Sequence, residues 1–152
     1  MPKLGGVKQG RGVAVHESFS TPVAQIVDIS IDADNNLKVN RVVCAVDCGI
    51  AVNPDVIRAQ MEGSICYALT AALSGEITLK DGVVQQNNFD GYPVLRIADM
   101  PKIEVYIVPS ANKPTGVGEP GVPPLAPALA NAIFAATGKH INQLPIGNQL
   151  NT

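Results

Sequence analysis

Tryptophan is absent from this 152-residue sequence, and three Phe and three Tyr are its whole aromatic complement, so a packed core has to come from Val, Ile, Leu and Ala. Charge is scarce as well. Asp, Glu, Lys and Arg make up 16% of the residues against 46% hydrophobic, where about a quarter charged is usual. That balance excludes an intrinsically disordered chain and predicts many positions buried or turned toward a partner. Eleven basic and thirteen acidic side chains leave a net charge of −2 with no Lys/Arg cluster, so neither a nucleic-acid footprint nor a polybasic membrane patch is present. Long apolar runs are missing too. The longest nearly uncharged one, Gly63 to Leu73, falls far short of the roughly 20 residues of a membrane-spanning helix. The opening M-P-K-L-G-G-V-K-Q-G-R-G carries positive charge without an apolar stretch behind it, unlike a signal peptide, and the compartment stays open.

Cysteine is limited to Cys44, Cys48 and Cys66, an odd number without C-x-x-C or His spacing, so neither a zinc site nor a disulfide framework is indicated. Cys44 and Cys48 would lie roughly 13 Å apart on an extended strand and read as small buried hydrophobes. His16 and His140 have no partner at ligand spacing and read as ordinary histidines; no metal ligand is assigned. The length suits one domain over residues 1–152.

A strand is expected over Gly12 to Phe19, leading inward. Val27, Ile29 and Ile31 alternate with Asp28, Ser30 and Asp32, and Asp34-Asn35-Asn36 supplies turn chemistry, which predicts a hairpin. The return strand, Leu37 to Asp47, becomes nearly continuous apolar at Val42 to Val46, a pattern expected where both faces are covered. Asn53-Pro54 reads as an N-cap with Pro at the first helical position, and Asp55 suits the helix dipole. Ile57, Met61, Ile65, Leu69 and Leu73 then recur every fourth residue to a stop at Ser74-Gly75, predicting a largely buried helix of about 20 residues. Lys80-Asp81-Gly82 marks a second hairpin, Lys102 to Pro109 alternates as a strand, and five prolines postpone the next helix to Leu125 to Ala136, closed by Gly138. The sum is an α+β fold: an antiparallel or mixed sheet with two buried helices. Neither helix shows a clear polar face, which predicts contact with a larger body and self-association of the isolated domain.

Gly116-Val117-Gly118-Glu119-Pro120-Gly121 matches G-x-G-x-x-G. A dinucleotide site requires the turn directly after a strand and an acidic residue about 20 positions on, and neither is here. What remains is a Gly- and Pro-stiffened loop presenting one carboxylate, Glu119, a good mount for a base if geometry supports it. Gln60, one turn into the first helix, reads as a buried amide whose partner is a core group or a ligand. No G-x-S-x-G elbow supports serine hydrolysis.

Three segments, Ala45 to Gly63 (A-V-D-C-G-I-A-V-N-P-D-V-I-R-A-Q-M-E-G), Phe89 to Val105, and Gly116 to Ile133, resemble in this order the molybdenum hydroxylases of the xanthine dehydrogenase and aldehyde oxidase family. The G-E-P-G-V-P-P wording resembles the family branch that holds the isoquinoline 1-oxidoreductase beta subunit. The resemblance implies that Glu119 is the catalytic base at molybdenum and that Gln60 and Gly118 contact the pterin. It further implies a molybdenum–pterin cofactor, with molybdopterin cytosine dinucleotide expected, a small-molecule substrate, and electron transfer to an iron–sulfur subunit. Family catalytic subunits are several times longer, so the chain is expected to be the C-terminal part of a molybdopterin-binding catalytic subunit, inactive without the remainder of that subunit. The alternative is a structural or assembly module that keeps the fold without the cofactor.

Overall fold

The structure, a computed structural model, describes residues 6–151; residues 1–5, part of the opening segment read for a leader, and residue 152 lie outside the described residues. Three long strands come first, β1 (Lys8–Ser18), β2 (Thr21–Ile31) and β3 (Leu37–Val46), followed by helix α1 (Pro54–Leu73). A two-residue-per-strand hairpin follows, β4 (Leu79–Lys80) and β5 (Val83–Val84), then β6 (Lys102–Ile107) and helix α2 (Leu125–Thr137). The main sheet runs β1-β2-β3-β6: β1, β2 and β3 are antiparallel, and β6 joins β3 in parallel. The expected mixed sheet with two helices is therefore found.

Local chemistry sets the boundaries. Asn53 caps α1 by accepting the Val56 N–H at 3.2 Å, Pro54 opens it, and the N–H of Ser74 closes on Thr70. Gly138, at φ 74°, ends α2 as a left-handed stop. Asp81 and Gly82 both have positive φ, as a type I′ turn requires.

Both helices lie on one face of the sheet. Val23, Val27, Ile29 and Ile31 of β2 and Val42, Cys44 and Val46 of β3 pack there against Met61, Ile65 and Leu69 of α1 and Leu125, Leu129 and Ile133 of α2. Gly10 and Gly12 bring the backbone of β1 against α2; a Cβ on Gly12 would overlap the Ala128 carbonyl. At Asp28–Ile29 the register shifts, Asn40 being the extra residue, and the inward phase of Val39 and Val42 is kept across this bulge.

Three expectations need correction. The apolar run of β3 is covered on one face only, because Val43 and Ala45 point to the opposite face and are half-buried. β1 does not lead inward: it is an edge strand with Val13 and Val15 largely exposed. α1 does have a polar face, exposing Arg58, Gln60 and Glu62. On the open face Arg11, Asp28, Arg41 and Lys102 stand side by side across four strands. The Arg41 guanidinium, bonded to Glu104 at 2.9 and 3.0 Å, together with Lys102 at 2.8 Å, holds the Glu104 carboxyl down at about 2.

Candidate functional site

The loop between β6 and α2 is fastened at both ends. Thr21 Oγ1 donates to the Gly116 carbonyl at 2.7 Å and meets Thr115 Oγ1 at 2.6 Å. Five residues on, Gln25 Nε2 donates to the Gly121 carbonyl at 2.8 Å. The glycines allow this close seating, since a Cβ on Gly116 would stand 2.9 Å from Phe19 Cβ and one on Gly121 2.8 Å from Ser64 Cβ. Glu119-Pro120-Gly121-Val122 forms a turn closed by the Val122 N–H on the Glu119 carbonyl at 2.9 Å. Pro120 and Gly121 are buried and Glu119 is exposed, so a rigid base carries an accessible carboxylate.

That carboxylate lines a cleft of about 600 Å³ built from three elements. Ser18 and Phe19 come from the β1–β2 corner, Gln60, Gly63 and Tyr67 from α1, and Gly118 with Glu119 from the loop. Gln60 Nε2 lies 3.5 Å from the Gly118 carbonyl, a long contact that leaves the amide free to bond elsewhere. Gly63 has no atom within 4 Å of a would-be Cβ, and Gly118 has only Gln60 at 3.9 Å. Two glycines thus leave room that side chains would fill. Phe19 and Ser20, at φ 54° and 58°, form the corner as paired left-handed residues, a conformation that costs a non-glycine residue about 1–2 kcal/mol. Ser18 Oγ is buried at the cleft without a partner among the described residues.

The three residues singled out in the sequence, Gln60, Gly118 and Glu119, are therefore neighbours on one cleft. Gln60 is not the buried amide expected of it: it stands on the exposed side of α1 and faces the cleft. The buried amide is Gln25, which the sequence reading missed although it sits in phase with Val23 and Val27. His140 stacks on Phe134 with ring centroids 4.3 Å apart, Cys44 and Cys48 are buried in the core, and burial pushes the Cys44 thiol up to about 11. Among the described residues no group of three His, Cys, Asp or Glu side chains is placed to hold a metal ion.

Residues 8–101 match the family model of the molybdopterin cofactor-binding domain. The chain belongs to that family. It is 38% identical over 136 residues to the beta subunit of isoquinoline 1-oxidoreductase from Brevundimonas diminuta, covering 89% of this chain and 17% of the relative. It is 34% identical over 152 residues to a nicotinate dehydrogenase subunit of Pseudomonas putida, covering 93% and 13%. The molybdopterin-binding domain thus spans less than a fifth of the length of these relatives. In structure it is similar to the CO dehydrogenase of Oligotropha carboxidovorans, with a TM-score of 0.74 and 26% identity over 86% of this chain and 17% of that one. Quinoline 2-oxidoreductase of Pseudomonas putida 86 shares the fold, with a TM-score of 0.79 at 20% identity, over 86% and 18%. The chain is a domain of the molybdenum hydroxylase family. The family match ends before the Gly116–Gly121 loop.

The cleft fits an edge of such a cofactor. A free amide at Gln60 and two Cβ-free positions at Gly63 and Gly118 offer a hydrogen-bonding group and the room that a polar polycyclic group needs.

Proposed function

We propose that this domain is the C-terminal part of the catalytic subunit of a molybdenum hydroxylase that adds a water-derived hydroxyl to an N-heteroaromatic ring or an aldehyde. The observation that carries the reading is the meeting of Glu119, Gln60 and Gly118 on one cleft, each from a motif segment that resembles the family. Isoquinoline 1-oxidoreductase and nicotinate dehydrogenase among the relatives bear names of N-heteroaromatic substrates, which supports that substrate class.

In this reading Glu119 is the general base. Its carboxylate is exposed at the cleft on a loop fixed at Gly116 and Gly121, so it takes a proton without rearrangement of its support. Gln60 and the backbone of Gly118 would hold the pterin edge. Bound molybdenum–pterin, in the cytosine dinucleotide form, supplies the two-electron oxidation. An iron–sulfur subunit would be the electron-accepting partner of the whole enzyme. The rest of the catalytic subunit closes the cleft and covers the apolar strip of Val13, Val15 and Tyr106 on the open sheet face. Alone, the 152-residue chain has one wall of the site and no turnover.

The test is the molybdenum and pterin content of the domain recovered from its host with the chains that co-purify. Stoichiometric metal in a complex containing iron–sulfur protein is expected. Metal-free, partnerless protein contradicts the reading and leaves the module without cofactor.

A further inference from the structure

Gln25 sits mid-strand on the covered face of β2 and is fully buried. Its Nε2 donates to the Gly121 carbonyl at 2.8 Å, Cys44 Sγ is a weak second acceptor at 3.9 Å, and its Oε1 has no partner among the described residues. Chemistry fixes the orientation of the amide, because a flip would set Oε1 against the Gly121 carbonyl, acceptor against acceptor. A half-satisfied amide in an apolar layer weakens the core compared with a well-packed aliphatic side chain. Packing therefore does not account for it, whereas the loop contact does. Gly121 lies two residues from Glu119 inside the turn that the Val122 N–H closes on the Glu119 carbonyl. A displacement of the Gly121 carbonyl is transmitted to Glu119 through buried Pro120 and through the Val122 N–H bond on the Glu119 carbonyl. On the upstream side Thr21 holds the Gly116 carbonyl, and the nearer Gln60 contact to Gly118 is too long at 3.5 Å to fix the turn.

We propose that Gln25 is the positioning residue for Glu119, a sheet-borne amide that pins the Glu119–Val122 turn against β2 and so sets where the carboxylate stands in the cleft. The proposal deepens the reading of Glu119 as base and rests on it. It also explains the glycines of the loop: Gly121 lets the chain sink to the depth where its carbonyl meets the Gln25 amide, beside Ser64 and Met61.

The experiment compares Gln25→Met, which keeps length and loses the donor, with Val42→Ala, a core truncation away from the loop. Hydrogen exchange is read on this chain, and kcat and KM in the complete enzyme. In Gln25→Met, Val122 amide exchange is expected to rise at least about tenfold while the central β2 and β3 amides keep their relative protection. kcat is expected to fall about 10- to 100-fold at little-changed KM, as a misplaced base dictates. Val42→Ala is expected to lower protection throughout with kcat within about twofold. Wild-type Val122 exchange and kcat in Gln25→Met overturn the proposal, as does an equal loss of kcat in Val42→Ala. Glu119→Gln separates the two claims. Full turnover in that variant removes the base reading and this proposal with it, whereas lost turnover alongside wild-type behaviour of Gln25→Met removes this proposal alone.

Discussion

Gln60 Nε2 stands 3.5 Å from the Gly118 carbonyl, so a helix and a loop 58 positions apart in sequence meet beside Glu119. The contact is too long and too exposed to hold the fold together. Gln60→Ala is therefore expected to change unfolding free energy by no more than about 0.5 kcal/mol, while molybdenum retained per complete subunit falls. Denaturant unfolding and metal analysis of the same preparations check the split. A large stability loss would make Gln60 a fold residue.

Gly63 at the cleft and Gly121 in the buried turn predict opposite outcomes for one substitution. Gly63 is exposed within α1 with nothing within 4 Å of a Cβ, so Gly63→Ala is expected to stabilise the chain by roughly 0.5–1 kcal/mol and to reduce cofactor retention by filling the cleft. Gly121→Ala drives a methyl to 2.8 Å from Ser64 Cβ and 3.1 Å from Met61 Sδ, an overpacking that costs about 1–3 kcal/mol. Thermal melts of the two variants decide.

Gly12 carries the contact between β1 and α2. With a Cβ it would overlap backbone atoms of Ala128 and Ala132, which cannot yield as a flexible side chain can. Gly12→Ala is expected to cost about 3 kcal/mol or more and to expose apolar surface as α2 lifts, read by dye binding and by loss of amide protection in β1.

Acid acts through the open sheet face. Asp28 is held below the usual carboxylate range by its hydrogen bond from Arg11, and Glu104 is held at about 2 by Arg41 and Lys102. Carboxyls depressed in the folded state contribute stability that is present above their unfolded values, about 4, and lost as pH falls toward 2. Stability is expected to be flat above about pH 5 in this respect and to decline below it. Arg41→Met is expected to shrink that decline, and molar salt to weaken it, because the groups are solvent-accessible. An unchanged acid limb in Arg41→Met would contradict the assignment.

Much of the fold was legible because its signals are local. The alternation of Val27, Ile29 and Ile31, the Asn53-Pro54 cap and the fourfold spacing from Ile57 to Leu73 each specify an element by themselves. Coverage was not legible in the same way. The run Val42 to Val46 reads as covered on both faces, but both helices lie on one face of the sheet, so Val43 and Ala45 stay half-exposed. The resemblance implies a pterin contact for Gln60, and a helix read as largely buried makes it a buried amide, whereas it stands on the exposed side of α1 at the cleft. Gln25 carried a readable signal, an amide at an inward position between two valines, but its partner is 96 residues away on the loop and only the fold joins them. Gly10 and Gly12 likewise look like an irregular strand start until α2 is seen to lie on them.

Glu119 as the proposed base of a molybdenum hydroxylase is tested most simply by the turnover of Glu119→Gln in the complete enzyme, normalised to bound molybdenum. Because Glu119 is exposed on a loop held by other residues, the substitution is expected to leave folding and metal content unchanged while kcat falls by at least about 10²-fold. Turnover per molybdenum equal to that of the unsubstituted enzyme would remove Glu119 from the role of base.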